Sequence, residues 1–119
     1  EIEEAVTTHP AVADAAVVGV HDEIKGQTPV AFVVLKDASR AGEALSQEII
    51  QAVAREIGAL AKPSSVNFVP VLPKTRSGKV LRRALQAIWE GRDPGDLTTI
   101  DDETALKAVL AVRRAAATD

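Results

Sequence analysis

The sequence contains no cysteine and no methionine, and only 3% of its 119 residues are aromatic. Without cysteine it has no disulfide, thiolate zinc site, iron–sulfur cluster or cysteine nucleophile. Phe32, Phe68 and Trp89 are too few to build a stacking platform for single-stranded nucleic acid. No apolar run approaches the ~20 residues of a membrane-spanning helix, and no signal peptide is visible. We expect no nucleic-acid partner, no membrane partner and a cytoplasmic location.

The composition is otherwise that of a globular protein. Apolar residues make up 46% of the sequence and charged residues 26%, and the length suits one domain with one core built from Val, Ile, Leu and Ala. The sequence begins at Glu1, and its first residues already have the pattern of a helix. We therefore expect it to be part of a longer chain.

Hydrophobic periodicity predicts the element order α-β-β-α-β-α-α. The predicted elements are helix 1–9, strands 12–20 and 30–35, helix 46–57, strand 66–71, helix 77–90 and a last helix after a Gly/Pro/Asp linker at 91–101. The first two strands are expected to pair antiparallel. The pattern predicts an α+β fold, a small sheet of about three strands with helices packed on it.

Capping residues set the predicted helix ends. Ser46 and Ser77 are natural N-caps for the second and third helices, and Gly91 suits the end of the third. Asp101 or Asp102 is expected to cap the last helix. The apolar stripe of that helix is predicted to be Leu106, Val109 and Leu110.

Charge is unevenly distributed. The net charge is −3, yet the segment 57–89 contains no acidic residue and six basic ones, Lys62, Lys74, Arg76, Lys79, Arg82 and Arg83. Two interpretations stay open: a solvated basic helix start, or a site for a partner that carries phosphate or carboxylate. For Arg82 and Arg83 in particular, a solvated helix face is favoured over phosphate steering.

The segment 72–83 carries the clearest chemical signal. If Ser77 caps a helix, Lys79 lies in the first turn, where the helix dipole disfavours a cation, and Gly78 beside it is a poor helix former. Local rules broken together are typical of functional positions. A Walker A motif is excluded because Pro73 stands where that motif needs glycine and Val80 where it needs Ser or Thr.

The residues Pro73-Lys74-Thr75-Arg76-Ser77-Gly78-Lys79, followed by Arg82-Arg83, resemble the last core motif of the adenylate-forming enzymes. Glu1-Ile2-Glu3 resembles the end of the preceding core motif, and the similarity extends over nearly the whole chain. The chain thus resembles the C-terminal lid domain, residues 1–119, of a short-chain acyl-CoA synthetase. The tail 91–102 is more similar to propionyl-CoA than to acetyl-CoA synthetases.

The resemblance implies a two-step ligase. A carboxylate attacks the α-phosphate of Mg²⁺-bound ATP to give acyl-adenylate and pyrophosphate, and coenzyme A then displaces AMP. By motif position Lys79 is the catalytic lysine, and Lys74, Thr75, Arg76, Ser77 and Gly78 form the nucleotide and phosphate loop. Arg55 and Lys62 are candidate coenzyme A contacts.

The resemblance also implies which partners the domain has. ATP, coenzyme A and the short-chain acid are substrates bound mainly by an N-terminal large domain. No tightly bound cofactor and no metal ligand is expected in this fragment, which should be inactive alone. A lysine acyltransferase and deacylase acting on Lys79 are further expected partners. The alternatives are an acetate–CoA ligase domain, or a non-catalytic module that uses the basic loop to bind an anionic partner.

Overall fold

The computed structural model describes residues 2–24, 26–95, 97 and 100–117. Its elements are α1 (Ile2–Thr7), β1 (Val12–Asp22), β2 (Gly26–Leu35), α2 (Glu43–Glu56), β3 (Ser65–Phe68), α3 (Arg82–Trp89) and α4 (Glu103–Ala117). Short 3-10 helices, Ala38–Arg40 and Ala59–Ala61, flank α2. Within the described residues, no helix is both long enough and apolar enough to cross a membrane. The predicted α+β fold with three strands is confirmed.

The sheet has the strand order β1-β2-β3. β1 and β2 pair antiparallel across a short turn, as predicted, whereas β3 runs parallel to β2. The parallel pairing follows from α2, which provides the crossover that parallel strands need. β3 ends at Phe68 and not at the predicted Val71. Pro70 lies just beyond its end and has no N–H to donate to a neighbouring strand.

Each face of the sheet is covered by helices. Side chains of α1 and α2 pack on one face, and side chains of α3 and α4 pack on the other. Phe32 of β2 is fully buried on the face of the sheet that α3 and α4 cover. Its ring makes an edge-to-face contact with Trp89 of α3, with ring centroids 5.2 Å apart. Trp89 is therefore a packing residue, and the guanidinium of Arg113 from α4 lies 5.2 Å from its ring centroid.

The start of α2 differs from the prediction. The helix begins at Glu43 with Gly42 as its N-cap, so Ser46 is not the cap but a buried residue inside the helix. The reason is packing. Leu45 is buried four residues before Ile49 on the same stripe, and burying it extends the helix by one turn toward the N-terminus.

The ends of α3 and α4 agree better with their capping residues. Gly91 has φ of +78°, its N–H donates to Ile88 O at 3.1 Å, and Arg92 N–H donates to Ala87 O at 2.7 Å. These two bonds form a Schellman motif, which favours glycine at this position. Asp102 is the cap of α4, since its Oδ1 accepts the N–H of Thr104 at 2.9 Å. Of the predicted apolar stripe of α4, Leu106 and Val109 are buried, whereas Leu110 is 40% exposed, so its assignment to the stripe is wrong.

Candidate functional site

Residues 73–81 form a tight hairpin that precedes α3. Lys74 pairs with Val80 in antiparallel fashion, and Thr75 N–H donates to Lys79 O at 2.8 Å. Leu81 N–H closes the base of the hairpin on Pro73 O at 2.9 Å. Since α3 begins only at Arg82, the predictions that Ser77 caps a helix and that Lys79 lies in its first turn are wrong.

The local sequence explains why a hairpin forms here. Gly78 has φ of +90°, which glycine adopts without strain and which a right-handed helix cannot accommodate. Its N–H donates to Thr75 O at 2.9 Å, and Thr75 Oγ1 accepts the N–H of Lys79 at 3.2 Å. The helix dipole therefore opposes Arg82 and Arg83, the basic residues in the first turn of α3, and not Lys79.

Lys79 is exposed at the end of this hairpin. Among the described residues, nothing accepts a hydrogen bond from its ammonium group or pairs with it. Together with Thr75, Arg76 and Ser77 it lines a shallow surface depression. The ammonium is thus available to bind an anion.

Lys74 behaves differently from Lys79. Its Nζ lies 2.8 Å from Oδ2 of Asp14 on β1, and the two side chains are 36% and 40% exposed. Its backbone oxygen accepts the N–H of Asp101 at 2.8 Å. Lys74 was predicted to belong to the phosphate loop, and the structure directs its charge at a carboxylate of the same domain.

Arg82, the first residue after the hairpin, is also paired with an acid of the domain. Its Nη2 and Nε donate to the two oxygens of Glu3 from α1, at 2.6 and 3.0 Å. Glu3 Oε2 also accepts the N–H of Val17, on β1. Neither sequence interpretation of Arg82 described this pairing. It joins the start of α3 to the N-terminal helix and to the edge of the sheet.

We expect the Glu3 pairing to make stability depend on pH. Partial burial alone would raise the pKa of the Glu3 carboxyl, but hydrogen bonds from Arg82 and Val17 and the charge of Arg82 hold it below its ordinary value of 4.5. A lowered pKa in the folded state stabilises the fold above the unfolded pKa, and this contribution disappears as pH falls through the folded value. Glu3→Gln should therefore reduce the free energy of unfolding near neutral pH and lessen its fall on acidification, as measured by urea denaturation across pH. Equal acid sensitivity of both proteins would contradict this.

Only some of the remaining predicted site residues lie on the hairpin. Arg76, Ser77 and Thr75 lie on it, but Arg55 is exposed at the end of α2, in the layer on the opposite face of the sheet. Lys62 is exposed after the adjoining 3-10 helix. Across the described ranges, no three His, Asp or Glu side chains are grouped so as to hold a metal ion.

Two acidic residues that contact this segment were missed by sequence reasoning. Asp14 and Glu3 lie 60 and 79 residues from their partners Lys74 and Arg82. Asp14 did give a signal, because it is a carboxylate within the otherwise apolar run 11–20. Glu3 gave none, since an acidic residue in the first turn of a helix is common.

Comparison with known proteins identifies a family and several relatives. The family described as the AMP-binding enzyme C-terminal domain matches residues 1–79, which end at Lys79. The propionate–CoA ligase of Escherichia coli K12 is 54% identical over 114 residues, 92% of this chain and 18% of that enzyme. The acetyl-coenzyme A synthetase of Pyrobaculum aerophilum is 50% identical over 107 residues, 90% of this chain and 16% of that enzyme. The chain thus spans less than a fifth of the length of these relatives.

Solved structures show the same fold. An acyl-CoA synthetase from Brucella canis superposes with a TM-score of 0.66 at 40% identity, over 71% of this chain and 15% of that one. The ATP-bound chimera RpMatB-BxBclM B1 superposes with a TM-score of 0.70 at 31% identity, over 75% of this chain and 18% of that one. The chain belongs to the family of AMP-binding enzyme C-terminal domains.

Proposed function

We propose that this chain is the C-terminal domain of an AMP-forming short-chain acyl-CoA synthetase, a propionate–CoA ligase, and that Lys79 is the lysine it supplies for acyl-adenylate formation. The large N-terminal domain of the same enzyme is its main partner. Acetate is the alternative acid, because relatives named for both acids have similar identity to this chain.

One observation carries the proposal. Lys79 is the exposed lysine of the hairpin, whereas the other lysine, Lys74, and the following Arg82 are each paired with an acid of the domain. An unpaired ammonium on an ordered support has its donors available for a ligand. The family match covers this residue, as the last one of the matched segment 1–79.

The chemistry of adenylation uses such a group. Negative charge grows on the α-phosphoryl oxygens as the carboxylate attacks, and a cation already in position stabilises that transition state without reorganising. Lysine can approach phosphate and carboxylate oxygens together, because its three N–H donors rotate freely about a flexible stem.

The proposal also assigns the other substrates. ATP with Mg²⁺, coenzyme A and the acid are held mainly by the large domain, and the hairpin residues 75–78 approach the nucleotide. Arg55 and Lys62 are candidates to contact coenzyme A after the domain reorients. Acylation of Lys79 by an acyltransferase would remove its charge and stop adenylation, and a deacylase would restore it.

The full-length protein that carries this chain provides the test. We expect it to release pyrophosphate from ATP with propionate, more slowly with acetate or butyrate, and to release AMP when coenzyme A is added. Deleting residues 1–119 should abolish the complete reaction, and the fragment alone should be inactive. If none of the three acids supported pyrophosphate release, the proposal would be refuted.

A non-catalytic anion-binding module is the second candidate, because Arg76, Lys79 and Arg83 are exposed and no partner for them is found among the described residues. The same deletion separates the two functions. If the module only binds a partner, deleting it leaves the turnover of the remaining protein unchanged.

A further inference from the structure

We propose that Asp14 is a positioning residue for Lys79 and acts through its ion pair with Lys74. This inference rests on the proposed function, in which Lys79 must reach a nucleotide bound by another domain. It assigns Lys74 to the support of the hairpin and not to the nucleotide phosphates.

The first support is the connection between Lys74 and Lys79. Lys74 pairs with Val80, the residue after Lys79. The residue after Lys74, Thr75, donates its N–H to Lys79 O. Within so short a ladder, a shift of Lys74 moves Lys79. The Lys74–Asp14 ion pair, at 2.8 Å, ties this ladder to the sheet.

The second support is a bulge that changes the direction of the Asp14 side chain. The register of β1 against β2 shifts between Val12 and Asp14. Val12 packs in the layer of α1 and α2, whereas Ala16, two residues after Asp14, packs in the layer of α3 and α4. Because side chains alternate strictly along a regular strand, residues 12 and 16 would otherwise share a face. The bulge places Asp14 on the face of the hairpin, and bulges commonly re-aim side chains beside active sites.

The third support is the second anchor at the same residue. Lys74 O accepts the N–H of Asp101, and Thr75 pairs with Ile100, which is buried in the core with 5% exposure. The backbone of the hairpin is thereby fixed to the segment before α4, while the Lys74 side chain is fixed to β1. Both contacts are made by Lys74, in the first strand of the hairpin that carries Lys79.

A charge swap in the full-length enzyme tests the inference. Asp14→Lys and Lys74→Asp each replace the ion pair by two like charges. Each should lower kcat of adenylation by about tenfold, because small misplacements of a catalytic group are costly. The KM for ATP should stay within about twofold, and thioester formation from added propionyl-adenylate should be unchanged. The double variant, Asp14→Lys with Lys74→Asp, should recover most of the lost kcat.

The outcomes separate the alternatives. If Lys74 touched the nucleotide, the double variant would remain as impaired as Lys74→Asp and the KM for ATP would rise. If the pair only stabilised the fold, both half-reactions would fall together or neither would fall. Either result overturns the inference, whereas an inactive wild-type enzyme would refute the proposed function itself.

Two further variants keep the test interpretable. Asp14→Asn removes the charge with little change in size, and it should give a smaller loss of the same kind if a reversed variant fails to fold. Arg92→Ala removes a comparable ion pair just after the end of α3, in which Nη2 of Arg92 lies 2.6 Å from Oε1 of Glu90. It should leave adenylation unaffected, and an equal loss there would contradict a specific role for Asp14.

Discussion

Replacing Lys79 by alanine in the full-length enzyme is expected to reduce adenylation by about 100-fold or more, while thioester formation from added acyl-adenylate continues. The magnitude is that of removing one preorganised donor from a developing anion, about 3 kcal/mol. The selectivity follows from the chemistry, because the acyl-adenylate has already passed the step that the ammonium assists. Pyrophosphate release and coenzyme A-dependent AMP release measure the two half-reactions separately.

The fold should survive this change because the Lys79 side chain is exposed. Its backbone bonds to Thr75 are retained in the variant. Lys107→Ala, which removes an exposed lysine from α4, is the matched control and should keep both activities. A Lys79→Ala enzyme that loses both half-reactions equally, with an unchanged unfolding temperature, would show that the role assigned to Lys79 is wrong.

Replacing Phe32 by alanine is expected to have the largest effect on stability, about 3–5 kcal/mol. Phe32 is fully buried, lies in the central strand and packs edge to face against Trp89 of α3. The variant loses apolar burial, leaves a cavity and removes the aromatic contact, which alone contributes about 1 kcal/mol. Urea denaturation, with the slope compared between the two proteins, measures the loss.

Phe68→Ala is the control for this prediction. Phe68 is only half-buried at the end of β3, so its truncation should cost clearly less than that of Phe32. Equal losses for the two variants would contradict the larger contribution that full burial and the contact with Trp89 assign to Phe32.

Much of the fold was predictable because it depends on local patterns. The apolar runs that became β1 and β2 are β-branched and separated by a short polar turn, which favours antiparallel pairing whatever lies around them. Gly91 and Asp102 were predicted as a helix end and a candidate cap because each fulfils its role through bonds to residues at most five positions away.

The errors arose where a local pattern competed with packing or with a turn. Ser46 has the chemistry of an N-cap, but burial of Leu45 carried α2 one turn further. Ser77 has the same chemistry, yet the left-handed conformation of Gly78 turned the segment into a hairpin. A serine can cap a helix or stabilise a turn, so its presence does not decide between the two.

By itself, the sequence determined the family, the antiparallel pairing of the first two strands and the choice of Lys79 as the candidate residue, because these depend on short motifs and on the periodicity of apolar residues. Only the tertiary structure decided that the charges of Lys74 and Arg82 are paired with Asp14 and Glu3. The physical reason is distance along the chain. An ion pair between residues 60 or 79 positions apart exists only once the sheet and helices have brought them together.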